Sequence, residues 1–168
     1  EALGPGIGEP KPMFTYMNDR IYYFNQPGGE FGTFALMSMN RDGSDQNRVY
    51  ALEQSDYYNP YYPDIARVGN RLYFSAKPDP FYGFKMMVSD GTTDGTVWTD
   101  DARTESEGSD PRAFTHFNGK MYFIADHEYY EYDNLHVTDG TPAGTEEVLS
   151  FETEITTLEL MGGMFYAT

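Results

Sequence analysis

The 168-residue chain contains no cysteine, a single tryptophan and only 11 lysines and arginines. Without cysteine there is no disulfide framework, although that absence alone does not separate an oxidising compartment from a reducing one. Set against 27 aspartates and glutamates, the few bases leave a formal charge of −16 and a pI near 4.3. Phosphate-backbone binding draws its affinity from Lys and Arg displacing counterions, so a nucleic-acid partner is excluded. Apolar runs reach only about six residues, against the roughly 20 that a membrane-spanning helix needs, and no membrane-embedded protein is expected. Catalytic signatures are missing too. There is no G-x-S-x-G and no phosphate-cradling glycine loop, and His127-Glu128 is followed by no second histidine at metalloprotease spacing. His116, His127 and His136 suggest no triad, and 27 acids single out no glycosidase pair. The expectation is a non-enzymatic protein.

What the chain does have is apolar and aromatic mass, with 12 Phe, 15 Tyr and 9 Met among 39% hydrophobic residues. That is enough for a core in one domain of ordinary size. The charge is segregated. Every Lys and Arg lies at or before Lys120, whereas residues 121–168 carry ten acids, which reads either as a solvated acidic surface or as a cation-attracting face. The chain starts at Glu1 without a basic-then-apolar leader, as expected of a secreted form or fragment whose signal peptide has gone. Residues 1–12, rich in Gly and Pro, read as an extended arm.

Two markers repeat. Asn18-Asp19-Arg20-Ile21-Tyr22, Gly69-Asn70-Arg71-Leu72-Tyr73 and Asn118-Gly119-Lys120-Met121-Tyr122 each join a polar turn to an aromatic strand, and Gly162-Gly163-Met164-Phe165-Tyr166 is a weaker copy. Taking Tyr22, Tyr73, Tyr122 and Phe165 as equivalent gives separations of 51, 49 and 43 residues. Asp42-Gly43-Ser44, Asp90-Gly91-Thr92 and Asp139-Gly140-Thr141 recur at 48 and 49. Each unit reads as strand, turn, strand, loop, strand, turn, strand, with Asn118-Gly119 and Asp139-Gly140 as hairpin turns in the third. No stretch sustains a 3.6-residue apolar period, so helix should be scarce. The expected fold is all-β, a β-propeller-like array of four-stranded antiparallel meanders about 49 residues long, with three full blades plus half a blade. The expected units are an arm at 1–12, repeats at 13–60, 61–110 and 111–155, and a partial fourth at 156–168. A stacked sandwich of the same meanders is the alternative.

Leu135-His136-Val137-Thr138-Asp139-Gly140-Thr141-Pro142-Ala143-Gly144-Thr145, and the similar stretch from Met86 to Thr96, resemble the ELWxxDGT-type repeat of bacterial secreted and surface proteins. The Glu-Leu-Trp of that family is here Asn134-Leu135-His136 and Lys85-Met86-Met87. The resemblance spans roughly residues 13–168. It implies a propeller-like extracellular or cell-surface module with no common catalytic residues.

Three units and a half leave a ring unfinished. The chain could belong to a larger propeller, form a four-bladed ring with an incomplete last blade, or be completed by a neighbouring copy at the edge Met164, Phe165, Tyr166 and Ala167. Partners would then be proteins, either copies of itself or a larger complex. Candidate sites each have a plainer reading. Asp90 and Asp94 near the Asp-Gly turns are candidate ligands for Ca²⁺, and Asp126, Glu128 and Asp133 around His127 for Ca²⁺ or a transition metal, which His127 favours, although no cofactor is required, Asp-Gly is itself turn chemistry and residues 126–133 read equally as a solvated loop. Tyr57, Tyr58, Tyr61 and Tyr62 are candidate glycan-stacking rings, or a wedge between repeats. The preferred reading is an interaction or assembly module; a glycan-binding or polysaccharide-processing propeller fragment is the alternative.

Overall fold

A computed structural model describes residues 14–25, 34–52, 65–77, 83–99, 108–126 and 132–168. They form three four-stranded antiparallel sheets and one two-stranded sheet, each built from consecutive strands. The first contains β1 (Phe14–Met17), β2 (Arg20–Asn25), β3 (Ala35–Asn40) and β4 (Asn47–Ala51). The second contains β5 (Ile65–Val68), β6 (Arg71–Ala76), β7 (Lys85–Ser89) and β8 (Thr96–Trp98). The third contains β9 (Arg112–Phe117), β10 (Lys120–Asp126), β11 (Asp133–Thr138) and β12 (Glu146–Ser150), and the last has β13 (Leu158–Met161) and β14 (Met164–Ala167). Among the described residues the sole helical element is a one-turn 3-10 segment, Pro142–Gly144. The all-β meanders match the expectation. No strand pairing among the described residues closes the sheets into a ring.

The first hairpin of each sheet turns on two residues. Asn18 and Asp19, Asn118 and Gly119, and Gly162 and Gly163 all have positive φ at both positions, the backbone twist that matches flanking antiparallel strands. These hairpins pair Met17 with Arg20, Val68 with Arg71, Phe117 with Lys120 and Met161 with Met164. Counting from the turn therefore aligns Tyr22, Tyr73 and Tyr122 with Tyr166. The expected equivalence of Phe165 is one residue out. In a strand, a slip of one exchanges the two faces, and Phe165 faces the third sheet whereas Tyr166 faces away from it.

The sheets stack face on face. Tyr22, Phe24 and Leu36 of the first sheet meet Leu72, Phe74 and Met87 of the second. Tyr73, Met86 and Val88 on the second sheet's other face meet Met121, Phe123 and Ala125 of the third. Ile124 and Leu135 on the third sheet's far face meet Leu158, Phe165 and Ala167 of the last. Alternation thus sends odd and even positions of β6 and β10 into two different cores. This is why those strands read as nearly continuous apolar runs. The first strands of successive sheets, β1, β5, β9 and β13, lie beside one another along one side of the stack. Arg67 Nη1 donates to the Tyr16 carbonyl (2.7 Å) and Thr115 Oγ1 to the Leu158 carbonyl (2.8 Å), tying neighbours along that side.

Candidate functional site

The Asp-Gly-Ser/Thr marker is a turn that satisfies itself three times. One carboxylate oxygen, Oδ1, accepts from the amide and the hydroxyl two residues on: 2.9 and 2.6 Å at Asp42 with Ser44, 2.9 and 2.7 Å at Asp90 with Thr92, and 2.9 and 2.7 Å at Asp139 with Thr141. The hydroxyl and backbone hydrogen bonds from Ser44, Thr92 and Thr141 hold all three carboxyls below the usual aspartate range. In the second and third copies the network runs further. Thr92 Oγ1 accepts from the Gly95 amide and Thr141 Oγ1 from the Gly144 amide. Thr96 and Thr145 hydroxyls donate back to the Thr92 and Thr141 carbonyls at 2.6 and 2.8 Å. A Cβ at Gly95 or Gly144 would overlap the Asp90 or Asp139 carboxylate. Each letter of Asp-Gly-Thr-x-x-Gly-Thr therefore has a local structural reason.

The same turns carry the contact between sheets. Gly91 (φ +94°) lies against the Tyr22 side chain of the preceding sheet, where a Cβ would overlap the hydroxyl and stand 2.9 Å from the ring carbon that bears it. Gly140 (φ +89°) lies against Tyr73 in the same way, with a Cβ 2.8 Å from the hydroxyl and 2.5 Å from Arg71 Nη1. Arg71 also donates to the Asp139 carbonyl at 2.6 Å, and Thr93 Oγ1 to the Val49 carbonyl at 2.8 Å. Burial under these turns raises the Tyr22 and Tyr73 hydroxyl pKa values. The two sequence markers keep one period because the glycine of one unit sits on the tyrosine of the unit before it. At Gly43, in the first sheet, a Cβ would meet none of the described residues within 4 Å.

Of the candidate metal ligands, Asp126 and Asp133 are brought together, but around a cation of the chain itself. Arg112 donates to Asp126 Oδ1 at 2.7 Å and to Asp133 Oδ1 at 2.5 Å, while the Ile155 amide donates to the other Asp133 oxygen. Burial opposes the Arg112 charge, and its two carboxylate partners outweigh this, raising its pKa. Arg112 adjoins a register shift in the β9–β10 pairing and Ala113, whose φ is +54°. Sequence reasoning missed this cluster, because Arg112, Asp133 and Ile155 meet only through folding. Asp90 serves its turn, and Asp94 is exposed beside it. Among the described residues no three or more His, Asp and Glu side chains come together as a metal site. Glu128, His127 and the candidate glycan rings Tyr57, Tyr58, Tyr61 and Tyr62 lie outside the described residues.

The expected assembly edge is the strand β14. β14 pairs with β13 through Met164 to Ala167, and among the described residues its other side carries no partner strand, the position that β3, β7 and β11 fill in the other sheets. Phe165 and Ala167 pack on the third sheet. Met161, Met164 and Tyr166 are 53, 61 and 43% exposed on the opposite face. Compared with protein-family models and with curated proteins, the chain matches none.

Proposed function

We propose that this chain is a non-enzymatic β-repeat module of the cell exterior that assembles with copies of itself, its half sheet β13–β14 being completed by a neighbour. One observation carries the reading: among the described residues a two-stranded sheet stands where every other unit has four strands, with no strand on the far side of β14 and an exposed apolar face. Unpaired strand edges recruit strands, and exposed apolar patches favour burial against a partner. The resemblance of Met86–Thr96 and Leu135–Thr145 to the repeat of secreted and surface proteins supports the extracellular setting and a propeller-like arrangement of the sheets. The inter-sheet contacts are repetitive and already occupied, so they supply rigidity, and the end of the stack supplies recognition.

Edge variants test the reading. Met164→Lys with Tyr166→Lys places charge on exposed positions of β14, a change that natural edge strands use to prevent pairing. The wild-type chain should sediment as larger species as its concentration rises, and the double variant as a monomer with an unchanged melting temperature. A wild-type chain that stays monomeric at all concentrations would remove the basis of the assembly.

A further inference from the structure

Contacts of one kind join the first sheet to the second and the second to the third, and each end of the stack presents one half of another. Tyr22 under Gly91 is 3% exposed and Tyr73 under Gly140 is 1% exposed. Tyr166 occupies the same place in the last sheet, third after the hairpin turn and facing onward, yet it is 43% exposed. At the other end, Gly43 has the backbone of Gly91 and Gly140, with φ +82° against +94° and +89°, but among the described residues nothing stands within 4 Å of a Cβ there.

We infer that the first sheet of a second copy stacks on the last sheet of this one, with Gly43 seated on Tyr166 as Gly91 is on Tyr22 and Gly140 on Tyr73. This rests on the assembly reading and adds to it a face contact, its register and its polarity. The two faces are chemically matched. Strand register places Phe14, Tyr16, Ile21 and Tyr23 together on the outer side of the first sheet, with Phe14 61% exposed. Met161, Met164 and Tyr166 share the outer side of the last. The first face is flanked by Arg41, whose guanidinium lies 4.1 Å above the Tyr16 ring and 3.8 Å from the Asp19 carboxylate, and Glu159, the register partner of Tyr166, sits on the second. The two patches differ, so the contact is heterologous and does not saturate at a dimer.

The test uses two full-length variants, one blocking each end. Gly43→Asn fills the seat from the turn side while tolerating positive φ, and Tyr166→Ala removes the ring from an exposed position. In sedimentation velocity each variant alone should be monomeric at concentrations where the wild-type chain forms species beyond a dimer. An equimolar mixture should yield a heterodimer and nothing larger, because each variant retains the end that the other lacks. The inference is overturned if either variant alone assembles like the wild type, or if the mixture stays monomeric. If both variants assemble while the charged β14 edge variant does not, strand pairing stands and the stacked face fails; if the wild type never assembles, both fail.

Discussion

Glycine at 91 and 140 meets two demands, of which glycine at 43 meets only the first. All three have positive φ, but a side chain at 91 or 140 must also displace a buried tyrosine or Arg71. Gly91→Ala and Gly140→Ala should each lower stability by about 2 to 4 kcal/mol, from left-handed backbone strain plus overpacking. Gly43→Ala should cost only about 1 kcal/mol, the backbone share. Urea denaturation of the three variants checks the ranking, and equal losses would contradict the seat. The turn aspartates make an acid-side prediction. Their pKa values are depressed in the folded chain, so their contribution is present above about pH 4, the unfolded value, and is lost as pH falls through the folded ones. Asp90→Asn with Asp139→Asn keeps the amide oxygen as acceptor and removes the titration. Its loss of stability below about pH 4 should be shallower than that of the wild type, as followed by thermal melts across pH.

Strands and turns were legible wherever the chemistry was local. Asn118-Gly119 marked its hairpin, the alternation at 113–117 and the aromatic run from Met121 marked β9 and β10, and Met164 to Ala167 coincides with β14. The slip at Phe165 had a simple origin. Gly162-Gly163 carries no side chain to show where the turn ends, and both residues that follow Met164 are aromatic, so only the pairing of Met161 with Met164 fixes the phase. Arg112 was silent for the opposite reason, since its partners are distant in sequence. It joins β9 to β10 and β11, and Asp133 in turn holds the amide of Ile155 on the approach to β13. Arg112→Ala would leave a buried Asp133 carboxylate without its cation, costing about 3 kcal/mol. Arg112→Lys should restore only part of this, because one ammonium does not reproduce the guanidinium fork across two carboxylates. Chemical denaturation gives both values, and a loss below about 1 kcal/mol for the alanine variant would deny the cluster its structural role.

The molecule as a whole repeats one interface, and its ends follow from that repetition. Composition showed the acidity and its lopsidedness, and periodicity showed three units and a remainder. Neither showed that both markers touch across sheets, because a contact between residues 69 apart, such as Tyr22 and Gly91, has no signature other than a shared period. A stack held by nearest-neighbour contacts should be least stable at its ends. The last sheet, with two strands and one covered face, is where a neighbour would add most protection. Amide hydrogen exchange along β14, compared between dilute and concentrated wild-type protein, tests this most directly. The account predicts that Met164 to Ala167 exchange rapidly when dilute and slow with rising concentration, while β6 and β10 in the middle of the stack stay protected throughout. Exchange in β14 that is the same at every concentration would contradict it.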